Sequence, residues 1–190
     1  MKKNNFILSL LLFIVASCTS PKSEQLTELQ KNQIKSKVKA VGDSIMAKVE
    51  RLDASWVDYY LDSPDWGMVN ADGSRWDYQT FKNIQPDFFN SIFSWKWTTT
   101  HQDFIFITPE IVIGAWDGKD VTILKSGDKI ATDSLLKSLY VKDESILSSG
   151  DRITYDPHAY TMVFKKVAGQ CKVIYQHDSG VPITEKADKK

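Results

Sequence analysis

An α+β fold in one domain is what this amino-acid sequence predicts, and three observations carry that expectation. Apolar residues recur at helical spacing from Ile34 to Tyr60. Strand-like stretches rich in aromatic and β-branched residues follow from Trp97 onward. The stretch YTMVFKKVAGQCKVIYQHDSGVP, Tyr160 to Pro182, reads as two further strands joined by a tight turn. With 190 residues, 42% of them hydrophobic and 12% aromatic, the chain can bury one sizeable core. Its 24 basic and 24 acidic residues cancel, so the concentrated basic surface that a nucleic-acid partner requires is not expected.

The chain opens MKKNNFILSLLLFIVASC, with a basic start, an apolar stretch from Phe6 to Val15, then Ala16 and Ser17 before Cys18. This is the shape of a secretory signal, and the apolar stretch is too short to span a bilayer comfortably. VASC, Val15 to Cys18, resembles a bacterial lipobox, which implies cleavage before Cys18 and a diacylglycerol on its sulfur. The competing reading is an ordinary secreted protein cut nearby. With several acyl chains on Cys18 the protein is expected to stay tied to a membrane. Thr19 stands where an aspartate would hold a lipoprotein at the inner membrane, so the resemblance implies the outer membrane of the cell envelope. Cys171 is then left without an intrachain disulfide partner. Residues 1–17 are read as leader, 18–31 as polar tether, 32–182 as the folded domain and 183–190 as a loose charged tail.

Within the domain, Ile34, Val38, Val41, Ile45, Val49, Leu52, Trp56 and Tyr60 predict one long helix, ended near Leu61 by Asp62, Ser63 and Pro64. Gly42 weakens its middle by about 1 kcal/mol relative to alanine. A loop with Trp66 and Met68 follows, and then Phe81, Ile84, Phe88, Ile92 and Trp95 return to helical spacing. Pro86 interrupts that pattern, which predicts two short helices. Strands are expected over Trp97 to Thr108 and Glu110 to Leu124, the second broken by a turn at Trp116 to Gly118. Leu135, Leu136, Leu139 and Tyr140 fit a short helix behind Asp133.

If Ala168 and Gly169 form the loop of the last hairpin, Val167 pairs with Gln170, Phe164 with Val173, Met162 with Tyr175 and Tyr160 with His177. That register puts Tyr160, Tyr175 and His177 on an inward, largely apolar face. Gln176 and Asp178 fall on the outer face. Trp56, Tyr60 and Trp66 are candidates for the mouth of a hydrophobic cavity, with plain core packing as the alternative. His177 could serve a ligand as hydrogen-bond partner or base, or merely fix the strand end. His101, His158 and His177 show no paired ligand spacing, so no metal is expected, and no phosphate loop or nucleophile motif points to a cofactor.

GQCKVIYQHDSG, Gly169 to Gly180, resembles the closing strand of the nuclear transport factor 2-like superfamily, in its SnoaL-like and ketosteroid-isomerase-like branch. Gly169, Val173, Ile174, His177 and Ser179 match the pattern, and Cys171 stands where tryptophan is more usual. The resemblance implies a cone: helices packed on a strongly curved, mostly antiparallel sheet that encloses a cavity. It implies binding of a small apolar or amphipathic ligand in the envelope, with an isomerase, cyclase or hydrolase and an assembly module with a filled cavity as alternatives. It also allows a homodimer through the outer sheet face.

Overall fold

The computed structural model describes residues 25–125 and 147–187. Cys18 and the short helix expected at Leu135 to Tyr140 lie outside them. In chain order the elements are α1 (Glu28–Glu50), a 3-10 helix (Ala54–Tyr59), β1 (Gly67–Val69), β2 (Arg75–Trp76), α2 (Tyr78–Asn90), β3 (Ile92–Thr108), β4 (Ile111–Leu124), β5 (Arg152–Val167) and β6 (Gln170–Glu185). The six strands form one sheet in the order β2-β1-β6-β5-β4-β3. All neighbours are antiparallel except β1 and β6.

Helix α1 starts at a capping box, within the stretch expected to be tether. The Thr27 hydroxyl accepts from the Gln30 amide, and the Thr27 amide donates to Gln30 Oε1 at 2.8 Å. Two of the four orphan donors of a helix start are satisfied this way. Thr27→Ala should lower stability by about 1 kcal/mol. Urea unfolding measures it; an unchanged midpoint would mean that this end is uncoupled from the global transition.

The helix ends at Glu50, short of the expected Leu61. Leu52 takes a left-handed φ of 54°, and the Asp53 side chain accepts from Ser55 to cap the 3-10 helix. A short carboxylate that bonds the backbone ahead of it offers the chain a turn in place of a further helical one. Trp56 still reaches the core, because the tighter helix presents it to the same side as Val49. Hydrogen bonds from Ser55 and Lys48 hold the Asp53 carboxyl down at about 2.

Pro86 lies inside one helix, α2, rather than between two. Both Pro86 and Lys82, whose carbonyl loses its usual amide partner, are on the solvent side, where water can satisfy that carbonyl. Burial of Phe81, Gln85, Phe88 and Phe89 holds the opposite side against the core.

Strand β3 begins at Ile92, five residues before the expected start, so Trp95 belongs to a strand. Strand β4 runs unbroken through the turn expected at Trp116 to Gly118. Its glycines serve close approach rather than turning. A Cβ at Gly118 would strike the Thr98 carbonyl oxygen, and one at Gly114 would lie 2.5 Å from the Trp116 ring. Every second β4 residue is buried, which puts Val112, Trp116, Asp120, Thr122 and Leu124 on the concave face under α1 and α2. The expected loose tail is held through Ala187: β6 continues to Glu185, Lys186 Nζ lies 2.8 Å from Asp151, and the Ala187 amide donates to the same carboxylate at 3.1 Å.

Candidate functional site

Its position is decided by one irregularity in the last hairpin. The turn is the expected one, with Val167 opposite Gln170, Phe164 opposite Val173, and Ala168 and Gly169 at positive φ. Ile174 is then an extra residue, since Phe164 pairs with Val173 but Val163 pairs with Tyr175. Such a bulge exchanges the two faces of everything beyond it. Met162 therefore faces Gln176, Thr161 faces His177 and Tyr160 faces Asp178. The pairs expected from a regular ladder, Met162 with Tyr175 and Tyr160 with His177, are corrected accordingly. Tyr175, 38% exposed, and the exposed His177 point outward, whereas Gln176 turns into the core.

A cavity of about 90 Å³ lies between α1, the 3-10 helix, α2 and the concave face of the sheet. Trp56, Phe81, Phe88, Trp95 and Met162 form much of its wall, and Asn70, Gln85, Tyr160, Gln176 and Asp178 bring polar groups to it. Among the residues expected to line a cavity, Trp56 and Tyr160 do so. Tyr60 and Trp66 are buried in the layer behind, with ring centroids 4.8 and 4.9 Å from that of Phe81. Tyr60 still reaches the site, because its hydroxyl donates to Gln176 Oε1.

Asp178 closes that chain, accepting from Gln176 Nε2 at 2.8 Å. Burial pushes its carboxyl up to about 7, against the charge of His158 and the Gln176 hydrogen bond, with Asp120 pushing the same way as burial. Burial, and then Asp178, raises the Tyr60 phenol as well, so Tyr60 is a neutral donor.

A second polar cluster lies behind Tyr160. Asp120 Oδ2 accepts from Trp95 Nε1 at 3.0 Å and from the Tyr160 hydroxyl at 3.2 Å, and His158 Nδ1 stands 3.3 Å from it. Asp120 and His158 are 1% and 5% exposed, so charge here is shielded from water. The His158 ring stacks on Tyr155 at 4.6 Å and touches Tyr160 at 4.3 Å. Gly180 makes room for it; a Cβ there would lie 2.8 Å from Tyr155 and 3.1 Å from His158.

Asp120, His158 and Gln176 are not expected at the site; Asp178 belongs to the polar run His177 to Ser179 that the sequence singles out, but the regular ladder puts it on the outer face. The alternation along β4 could have identified Asp120, which shares parity with Trp116 and Leu124. No local signal marked His158, and the Ile174 bulge hid Gln176 and Asp178. What the arrangement offers chemically is a carboxyl that changes charge near neutrality at the wall of an aromatic cavity, with neutral donors beside it. No group of three His, Cys, Asp or Glu side chains converges as a metal site among the described residues.

No family model matches the chain, and no curated protein matches it in sequence. Solved structures match its fold. A type 2 hexachlorocyclohexane dehydrochlorinase (LinA) superposes with a TM-score of 0.62 at 8% identity, over 86% of this chain and 97% of its own. A Novosphingobium aromaticivorans protein provisionally described as a scytalone dehydratase gives 0.62 at 8% identity, over 86% and 94%. A nuclear transport factor 2-like superfamily protein from Salmonella enterica gives 0.57 at 9% identity, over 84% and 99%. The chain has the nuclear transport factor 2-like cone fold expected from its closing strand.

Proposed function

We propose that this domain takes a small, largely apolar molecule into its cavity and transfers a proton to or from it through Asp178. The carrying observation is that carboxyl: half-buried at the wall of an aromatic cavity and poised at about 7, it can act as acid or base at neutral pH. Gln176, held by Tyr60, positions it, and Tyr160, whose hydroxyl donates to Asp120, lines the same wall. Two of the structural neighbours are described by eliminations, a dehydrochlorination and a dehydration, which need proton removal from carbon. The cavity volume of about 90 Å³ suits a molecule of a few heavy atoms.

Cyclopentanone and cyclohexanone in deuterated buffer near pH 7 provide the test, with exchange at the α-carbon read by mass spectrometry. Exchange above the buffer rate is expected, falling by roughly 10²- to 10⁴-fold in Asp178→Asn. Uptake of the ketones without exchange would favour the second reading, passive capture of an apolar ligand, which the Trp, Phe and Met lining supports. Neither uptake nor exchange would count against both.

The proposal extends to location: the chain is a lipoprotein of the cell envelope, tied by a lipid on Cys18 to the outer membrane. Its support is the leader and the VASC motif. Labelled palmitate fed to expressing cells should mark the wild-type protein and leave Cys18→Ala unmarked; equal labelling of the two would refute the anchor. Ile105, Ile113, Val163 and Tyr175 form one row across four strands of the outer sheet face, where the homodimer allowed by the resemblance would form.

A further inference from the structure

We infer that the end of the molecule where α1 begins docks on an anionic lipid surface, that of the membrane to which Cys18 is tied. The inference rests on the lipid-anchor reading of Cys18. Three segments meet at this end. Leu26, just ahead of the Thr27 cap, and Lys31 of the first turn of α1 share a groove with Phe106 to Pro109 of the β3–β4 turn. A second groove joins Leu26 and Lys37 to Lys166 and Gly169 at the β5–β6 turn.

Helical side chains tilt toward the helix N-terminus, so Leu29 projects toward this end, and Leu26 precedes the cap there. Leu29 is 69% exposed and Ile107 53% exposed, and Pro109 is exposed between the grooves. Lys31, Lys37 and Lys166 line these grooves with the carboxylates of Glu28 and Glu110, and Lys35 follows along α1. Lys31 is neutralised by Glu28 at 2.7 Å, while Lys35 lies over the Phe104 ring with its ammonium 5.4 Å from the centroid. Apolar tips beside an excess of cations match the boundary between anionic headgroups and acyl chains.

Chain length supplies the occupant. From Cys18 to Gln25, where the described residues begin, a fully extended chain spans at most about 25 Å. A lipid on Cys18 therefore keeps this end beside the bilayer. The cavity sits far along the same helix, on Ile45, Met46 and Val49, roughly 28 Å from Leu26. Docking by the α1 end leaves it standing away from the membrane.

The test is hydrogen–deuterium exchange of the lipidated mature chain on vesicles of phosphatidylcholine alone and of phosphatidylcholine with equimolar phosphatidylglycerol. Slower exchange at residues 26–31 and 106–110 is expected on the anionic vesicles, reversed by high salt. The double variant Leu29→Asp, Ile107→Asp should stay on the vesicles through its lipid, keep its thermal midpoint and lose the protection. Equal exchange on both vesicles, or protection retained by the variant, would overturn the docking while leaving the anchor intact. A mature chain whose mass lacks the diacylglyceryl group would overturn the anchor, and the docking with it.

Discussion

Trp116→Ala is expected to cost about 3–5 kcal/mol, lowering the melting temperature by roughly 6–20 °C. The ring is 2% exposed and lies where α1 crosses the sheet, with its centroid 5.7 Å from that of Phe104 and 5.8 Å from that of Phe164. Two glycines make its place: a Cβ on Gly42 would lie 2.6 Å from the indole, and one on Gly114 2.5 Å from it. The helix glycine that lowers propensity is thus the price of seating Trp116. Gly42→Ala separates the two effects. In the wild type it should destabilise, because overpacking against a fixed ring exceeds the gain of about 1 kcal/mol in helix propensity. In the Trp116→Ala background it should stabilise, because only the propensity gain remains. A double-mutant cycle by urea unfolding reads the sign change; the same sign in both backgrounds would show that the ring does not confine this turn of α1.

Much of this fold was legible because its signals are local. The Ile34 to Val49 stripe is one helix face, and the Ala168–Gly169 turn fixes the start of the last ladder. What misled were positions where tertiary contact decides between local options. Pro86 reads as a break, but at the solvent side of α2 water can take the place of its missing hydrogen bond while Phe81 and Phe88 anchor the other side. Trp116 to Gly118 reads as a turn, but Gly118 serves a close strand approach. Leu52 to Tyr60 keeps the helical spacing of its apolar residues while the backbone leaves the α-helix at Glu50.

The candidate site was lost to a single inserted residue. A regular ladder would have placed Tyr175 and His177 inside; the extra Ile174 places Gln176 and Asp178 there. Strand-face parity carries an error of one residue to the end of the element, which here was the part that bears the chemistry. Asp120 and His158 come together from adjacent strands past a second irregularity, between the Gly118–His158 and Asp120–Tyr155 pairs. Nothing near either residue in the sequence announces the contact.

Asp178→Asn is expected to change how stability depends on pH as well as to stop proton transfer. A free aspartate titrates near 3.8 and Asp178 at about 7, so between those values the folded chain holds a proton that the unfolded chain releases. Its contribution to stability is complete below about pH 4, declines as pH rises toward 7 and is flat above. Asp53, Asp77 and Asp151 are shifted the other way, and their contributions are present above 3.8 and lost on acidification. The total profile therefore mixes opposite slopes, and the difference between wild type and variant isolates the one carboxyl. Asparagine keeps the acceptor for Gln176 but carries no charge at any pH. Relative to wild type, Asp178→Asn should gain stability steadily from pH 4 to pH 7 and no further beyond, measured by urea unfolding at each pH. His158 and Asp120 face the same carboxyl from β5 and β4, and both remain in the variant, so they cancel in the comparison to first order. Parallel profiles for the two proteins would mean that Asp178 titrates as an ordinary surface carboxylate, and would remove the basis for its role as acid or base in the cavity.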